Sequence, residues 1–205
     1  MKRGEEPLDG VSRETLEALR AFVDLLLEWN RRINLVSARS AEDVWRRHVL
    51  DCLQLVPLLP PDPASILDLG SGAGFPGLVL AIATGQEVRL VEADKRKAAF
   101  LAHVSGRLGL PKVEVRAERI EGAHLPRARA LTARALASLP TLLGYAHALL
   151  APGGAALFMK GRTAEEELTE ASRGWIMRTE RFPSRTDPAS TILRISEIRP
   201  AGSEA

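Results

Sequence analysis

Five short apolar runs, at residues 65–69, 88–91, 113–115, 130–133 and 155–159, alternate with helical patterns at 77–83, 95–108, around Ile120 and at 139–150. Strands that alternate with helices are joined by right-handed crossovers, which predicts a parallel sheet covered on both faces. The end of the chain breaks the rhythm. Residues 175–181 and 191–198 are two strand-like runs joined by a loop of Pro, Ser and Asp, so an antiparallel pair is expected at the sheet edge. The fold class is therefore α/β, with a mostly parallel sheet.

The amino-terminal part has a different pattern. Ser12 is placed as an N-cap before Leu16, Leu19, Val23, Leu26 and Ile33, which follow helical spacing. A second helix is expected after Ser40, with Asp43 three residues on, running toward Val56. Pro57, Pro60, Pro61 and Pro63 then exclude both helix and central strand. These features divide the chain into a helical lobe at 1–60, a main domain at 64–199 and a flexible tail at 200–205.

At 205 residues, with 45% hydrophobic and 26% charged side chains, the chain has enough apolar material for a core. The longest uninterrupted apolar stretch is six residues, 78–83, too short to cross a bilayer, and residues 1–10 are too polar for a signal peptide. A cytoplasmic, non-membrane protein is expected. Cys52 is the only cysteine, so an internal disulfide and a cysteine-rich zinc site are excluded, and no metal is expected. The net charge is only +2, but 23 of 28 basic residues are arginine. Arginine suits phosphate contact and base stacking, although genome composition explains the same bias.

The most informative segment is 66–77, Ile-Leu-Asp-Leu-Gly-Ser-Gly-Ala-Gly-Phe-Pro-Gly. Glycines after a buried strand let the backbone turn and let a ligand approach it. Such a loop lies at the carboxyl end of the first strand, where open α/β sheets bind ligands. Gly72, Gly74 and Gly77 also satisfy the dinucleotide fingerprint. Asp68, at the mouth of the loop, repels a pyrophosphate and favours a cation such as the sulfonium of S-adenosylmethionine. A turn-capping role for Asp68 stays open. Glu92, at the end of the second strand, suits ribose hydroxyls in either cofactor class.

Asn34-Leu35-Val36, Arg47-His48 with Asp51, the 68–77 loop, Ala117-Glu118, Thr132-Ala133-Arg134-Ala135 and Met159-Lys160-Gly161 together resemble one family over residues 20–197. It is the bacterial 16S ribosomal RNA guanine-N7 methyltransferase family, also called the glucose-inhibited division protein B family. The resemblance implies a Rossmann-like methyltransferase fold with a seven-stranded sheet and an amino-terminal helical extension. It implies S-adenosylmethionine as methyl donor, and a guanine of the decoding region, in 16S rRNA or a small-subunit particle, as acceptor. Carried over residue by residue, cofactor contacts fall on Gly70, Phe75, Ala117, Glu118 and Arg134, beside Gly72 of the loop and Glu92 at the end of the second strand. The chain departs from the family pattern at Cys52, often serine, and at residues 189–192, often a basic-His pair.

Guanine N7 offers a lone pair, so its methylation needs no general base. In keeping with that, no compact nucleophile-and-base pattern is present, and no catalytic residue is assigned. Arg134, Lys160 and His48 are the positioning candidates. Arg47, His48, Arg134 and Lys160 are the RNA-contact candidates, with His48 equally suited to packing between helix and sheet. Three glutamates at 165–167 are expected to be a solvated helix start. A buried core role is expected for Cys52 in preference to a covalent one. A nicotinamide oxidoreductase is the rival enzyme reading, but Tyr145, the only tyrosine, lacks a lysine at the required spacing. A non-catalytic RNA- or nucleoside-binding module is the other rival. A monomer is expected.

Overall fold

The computed structural model describes residues 11–61 and 65–202. Residues 1–10, 62–64 and 203–205 lie outside the described residues; of the tail expected at 200–205, Pro200 ends the last strand and the Ala201 N–H bonds the Gly174 carbonyl at 2.9 Å. Helix α1 (Arg13–Asn30) starts at Ser12, whose hydroxyl accepts the Thr15 N–H at 3.1 Å, as the sequence predicts. Short helix α2 (Ala38–Ala41) follows. Its cap is Ser37, which accepts the Ser40 N–H at 3.2 Å; Ser40 is not the cap.

The expected helix from Ser40 to Val56 is also not continuous. Residues Trp45–Leu50 form a π-helical turn and Asp51–Leu53 a short α3, followed by a 3-10 turn over Val56–Leu58. Insertions of this kind re-aim side chains, and here His48 comes to lie against the sheet domain. Pro57 is accommodated in the first positions of the 3-10 turn, where its missing N–H costs nothing.

The main domain runs β1 (Ser65–Leu69), α4 (Gly77–Thr84), β2 (Glu87–Val91), α5 (Lys95–Arg107), β3 (Val113–Arg116), β4 (Ala128–Arg134), α6 (Leu139–Leu149), β5 (Leu150–Lys160), α7 (Ala164–Ala171), β6 (Trp175–Pro183) and β7 (Thr191–Pro200). The strand order is β3-β2-β1-β4-β5-β7-β6. The first five strands pair in parallel, and β7 is antiparallel to both β5 and β6. The chain leaves β1 in one direction for β2 and β3, then returns to β4 on its other side. That reversal opens a crevice at the carboxyl ends of β1 and β4.

Alternate residues of the central strands feed two apolar layers. Leu67, Leu69, Leu131 and Phe158 pack with Leu139, Leu142 and Leu143 of α6 and Leu168 of α7. Ile66, Val88, Leu90 and Leu157 face the other way, toward Leu78 and Phe100. Leu19, Phe22, Leu26, Cys52 and Leu55 of the amino-terminal helices fall in this second layer. The helical segment therefore shares the sheet's core, and that shared burial fixes it over the crevice.

Candidate cofactor and acceptor site

Two sub-regions meet at the carboxyl edge of the sheet. The first is built on the loop after β1. The Ser71 N–H bonds the Val91 carbonyl at 3.0 Å, and the Glu92 N–H bonds the Arg116 carbonyl at 3.0 Å. These bonds tie the glycine loop, the end of β2 and the end of β3 into one rim, so Gly72, Glu92, Ala117 and Glu118 come together. Gly72 has φ +54°, a conformation that favours glycine, and a Cβ there would meet nothing nearer than the Gly70 carbonyl at 3.8 Å. Its outer face is open to a ligand. Gly77 is closed by contrast: a Cβ there would lie 2.3 Å from Leu90 Cδ2 and 2.6 Å from Asp68 Oδ2.

Two acids define the floor. Glu92 is nearly buried, and its carboxylate accepts the Gly72 N–H at 2.8 Å on one oxygen and the Asp94 N–H at 2.7 Å on the other. Each oxygen keeps a second lone pair, which suits a diol. Asp68 is fully buried; its Oδ1 accepts the Thr132 hydroxyl at 2.7 Å, and Oδ2 has no partner among the described residues. Burial pushes its carboxyl up to about 6, against the lowering effect of the Thr132 hydrogen bond. An orphaned buried carboxylate oxygen fits a cationic ligand and disfavours a phosphate. The residues present thus fit a sulfonium- and ammonium-bearing nucleoside.

The second sub-region lies beyond β4 and β5. Arg134 ends β4 and turns toward the helical segment. Its guanidinium donates to the Arg47 carbonyl at 3.0 Å, lies 3.6 Å from the Asp51 carboxylate and reaches Cys52 Sγ at 3.8 Å. The Cys52 thiol is fully buried, and burial pushes it up to about 12, against the favourable charge of Arg134. A thiol so held does not serve as a thiolate nucleophile. His48 stacks on Phe75 of the glycine loop, with centroids 4.8 Å apart and 22° between planes. Burial first, then the charges of Arg134 and Arg47, lower it to about 4, so its ring is neutral near pH 7. Both ring nitrogens are buried without a partner among the described residues.

Lys160, at the end of β5, donates to the Ala137 carbonyl at 2.8 Å and to Glu167 at 2.7 Å. Glu167 also accepts the Leu139 N–H at 2.7 Å, capping α6. The run 165–167 does open α7, but Glu167 is not solvated as expected: it is drawn inward by the ammonium and the helix end. Of the four RNA-contact candidates, only Arg47 has an exposed side chain. Sequence reasoning quoted Asp51 but assigned it no role. It is buried and receives Ser184 and Thr186, both at 2.8 Å, from 133 and 135 residues away. No local pattern signals such a pair.

The family model for rRNA small subunit methyltransferase G matches residues 15–188. The ribosomal RNA small subunit methyltransferase G of Granulibacter bethesdensis is 57% identical over 189 residues, covering 92% of this chain and 88% of the relative. That of Rhodospirillum centenum is 55% identical over 193 residues, covering 94% and 89%. Among solved structures, the glycopeptide N-methyltransferase MtfA complexed with S-adenosyl-L-methionine superposes with a TM-score of 0.61 at 11% identity, covering 73% of this chain and 86% of that one. TrmN from Thermus thermophilus gives 0.56 at 19% identity, covering 73% and 48%. These two likenesses bear on the fold alone.

Proposed function

The chain belongs to the family of rRNA small subunit methyltransferase G, and on that premise we propose that it methylates N7 of a guanine in the decoding region of 16S rRNA, with S-adenosylmethionine as donor. The observation that carries the reading is the buried, half-unpartnered Asp68 beneath a glycine loop whose Gly72 face is open. Gly70, Gly72 and Phe75 hold the cofactor from the loop. Glu92 takes the ribose, and Ala117 and Glu118 border the base. S-adenosylmethionine supplies an electrophilic methyl group on a sulfonium centre.

The acceptor needs no activation. The N7 lone pair would form the new bond to the methyl carbon as the carbon–sulfur bond breaks, the sulfur leaving as a neutral thioether and the positive charge passing to the ring, so no proton must leave beforehand. Neutral His48 and the un-ionised Cys52 agree with a site that works by alignment, with the entropy of encounter already lost on binding. The protein acts as a monomer in the cytoplasm, on free rRNA or a small-subunit particle, with no membrane partner. No helix among the described residues is long and apolar enough to cross a membrane.

The test is to methylate small-subunit RNA from cells lacking the modification, digest it to nucleosides and identify the product by mass spectrometry. The expected product is 7-methylguanosine. A methyl group on carbon, on ribose or on an exocyclic nitrogen overturns the reading. Gly72→Val serves as the control: a Cβ there meets nothing nearer than 3.8 Å, but φ +54° strains a β-branched residue, so loss of S-adenosylmethionine binding is the expected result and is read beside thermal unfolding, which must show the variant folded.

A further inference from the structure

A cleft of about 290 Å³ opens where β4 and β5 end, lined by Asp51, Arg134, Ala135, Lys160, Glu167 and Ser190 among others. That volume is at the small end of ligand pockets, which span about 300–1,000 Å³, and it suits one nucleobase. Two ion pairs line it, Arg134–Asp51 and Lys160–Glu167. Between them runs the turn 135–137. Ala135 has φ +51°, one of two non-glycine residues in the left-handed region among the described residues. Such a conformation persists only where its surroundings hold it. Here Arg134 is held by Asp51 on one side, and the Ala137 carbonyl by Lys160 on the other.

The same turn reaches the cofactor loop. Leu136, one of two large exposed apolar residues among those described, has its Cδ1 2.6 Å from where a Cβ of Gly70 would stand. The cleft and the glycine loop therefore share a wall. Asp51 fixes the rest of the cleft. Its Oδ1 accepts Ser184 at 2.8 Å, Thr186 at 2.8 Å and Gln54 at 3.1 Å, while Oδ2 faces Arg134. The Ser184 hydroxyl oxygen in turn accepts the N–H groups of Thr186 and Asp187 at 3.1 and 3.2 Å. One carboxylate thus joins the helical segment, the turn after β4 and the loop between β6 and β7.

We propose that this cleft seats the target guanine and that Asp51 is its positioning residue, holding Arg134 and the 184–187 turn in the shape that presents N7 to the glycine loop. The proposal rests on the guanine-N7 reading above. Guanine offers donors at N1 and N2 and an acceptor at O6, and the cleft presents carboxylates, hydroxyls and cations to meet them. A base inside a stack cannot enter so narrow a space, so the nucleotide must be extruded or already unpaired.

The test compares wild type, Asp51→Asn and Ser190→Phe in S-adenosylmethionine binding, thermal stability and steady-state methylation of unmodified small-subunit RNA. Asparagine keeps an acceptor for Ser184 and Thr186 but removes the charge that holds Arg134. It is expected to lower kcat about 100-fold, with RNA KM unchanged within error and cofactor affinity, to which Arg134 is expected to contribute, lowered by a much smaller factor than kcat. Ser190→Phe fills the cleft from an exposed loop and is expected to abolish methylation with cofactor binding intact. Wild-type kcat in either variant overturns the proposal, as does loss of cofactor affinity in parallel with kcat. If Asp51→Asn does not fold, Ser190→Phe decides alone, and normal methylation by it overturns the proposal. A wild type that fails to form 7-methylguanosine counts instead against the reading of the activity.

Discussion

Asp68 and His48 are displaced by burial in opposite directions, and both act on stability over the same pH range. Asp68, pushed up to about 6 from an ordinary value of 3.8, binds more protons folded than unfolded between those limits, so its contribution to stability falls as pH rises. His48, lowered from 6.5 to about 4, binds fewer protons folded than unfolded, so its contribution rises with pH. From about pH 4 to 6 the two slopes oppose each other. Removing one exposes the other. Asp68→Asn is expected to lose stability on acidification more steeply than wild type, and His48→Gln less steeply, as read by thermal unfolding at half-unit pH intervals. Equal slopes in the three proteins would show that neither group titrates as its burial implies.

At the scale of elements, the turn between β4 and α6 is held by a pair that the sequence does not advertise. The Lys160 side chain is 9% exposed and that of Glu167 19%, and between them they bond the Ala137 carbonyl and cap Leu139. Lys160→Met leaves Glu167 without its cation in a largely buried place. A loss of about 3 kcal/mol in unfolding free energy is expected from urea denaturation. A variant as stable as wild type but weaker on RNA would return Lys160 to the interface. Elements of this kind separate what the sequence makes legible from what it does not. The strand after the proline boundary is read as 65–69, and the structure has Ser65–Leu69, because prolines before it and a glycine loop after it mark its two ends. The loop's own chemistry is legible for the same reason, since its parts are adjacent in the chain. The break at Trp45–Leu50, the inward turn of Glu167 and the Ser184–Asp51 bond depend on contacts made only after folding. Period and propensity carry no trace of them.

For the whole molecule, the shared core places the arginines of the helical segment beside the loops of the sheet domain. The Asp187 carboxyl, between β6 and β7, is held below its usual range first by the Ala189 N–H, then, against desolvation, by Ser190 and by the charges of Arg162 and Arg47. Arg47 and Arg162 thus lie near Asp187, in the loop that also supplies Ser184 and Ser190 to the cleft, and both have exposed side chains. A strand of RNA delivering one base to the cleft must pass its phosphates over this loop. Binding is then expected to weaken linearly in log K against log salt, as phosphate neutralisation releases counterions. Arg47 is the informative position because its structural bond, from Arg134, is made to its backbone carbonyl and survives truncation of the side chain. Arg47→Ala should therefore keep the fold and cofactor affinity while flattening the salt slope by about one unit. Filter binding of unmodified small-subunit RNA across a salt series provides the measurement, with S-adenosylmethionine affinity measured alongside. An unchanged slope would remove Arg47 from the interface, whereas a changed slope with impaired cofactor binding would show that the side chain supports the fold rather than the RNA.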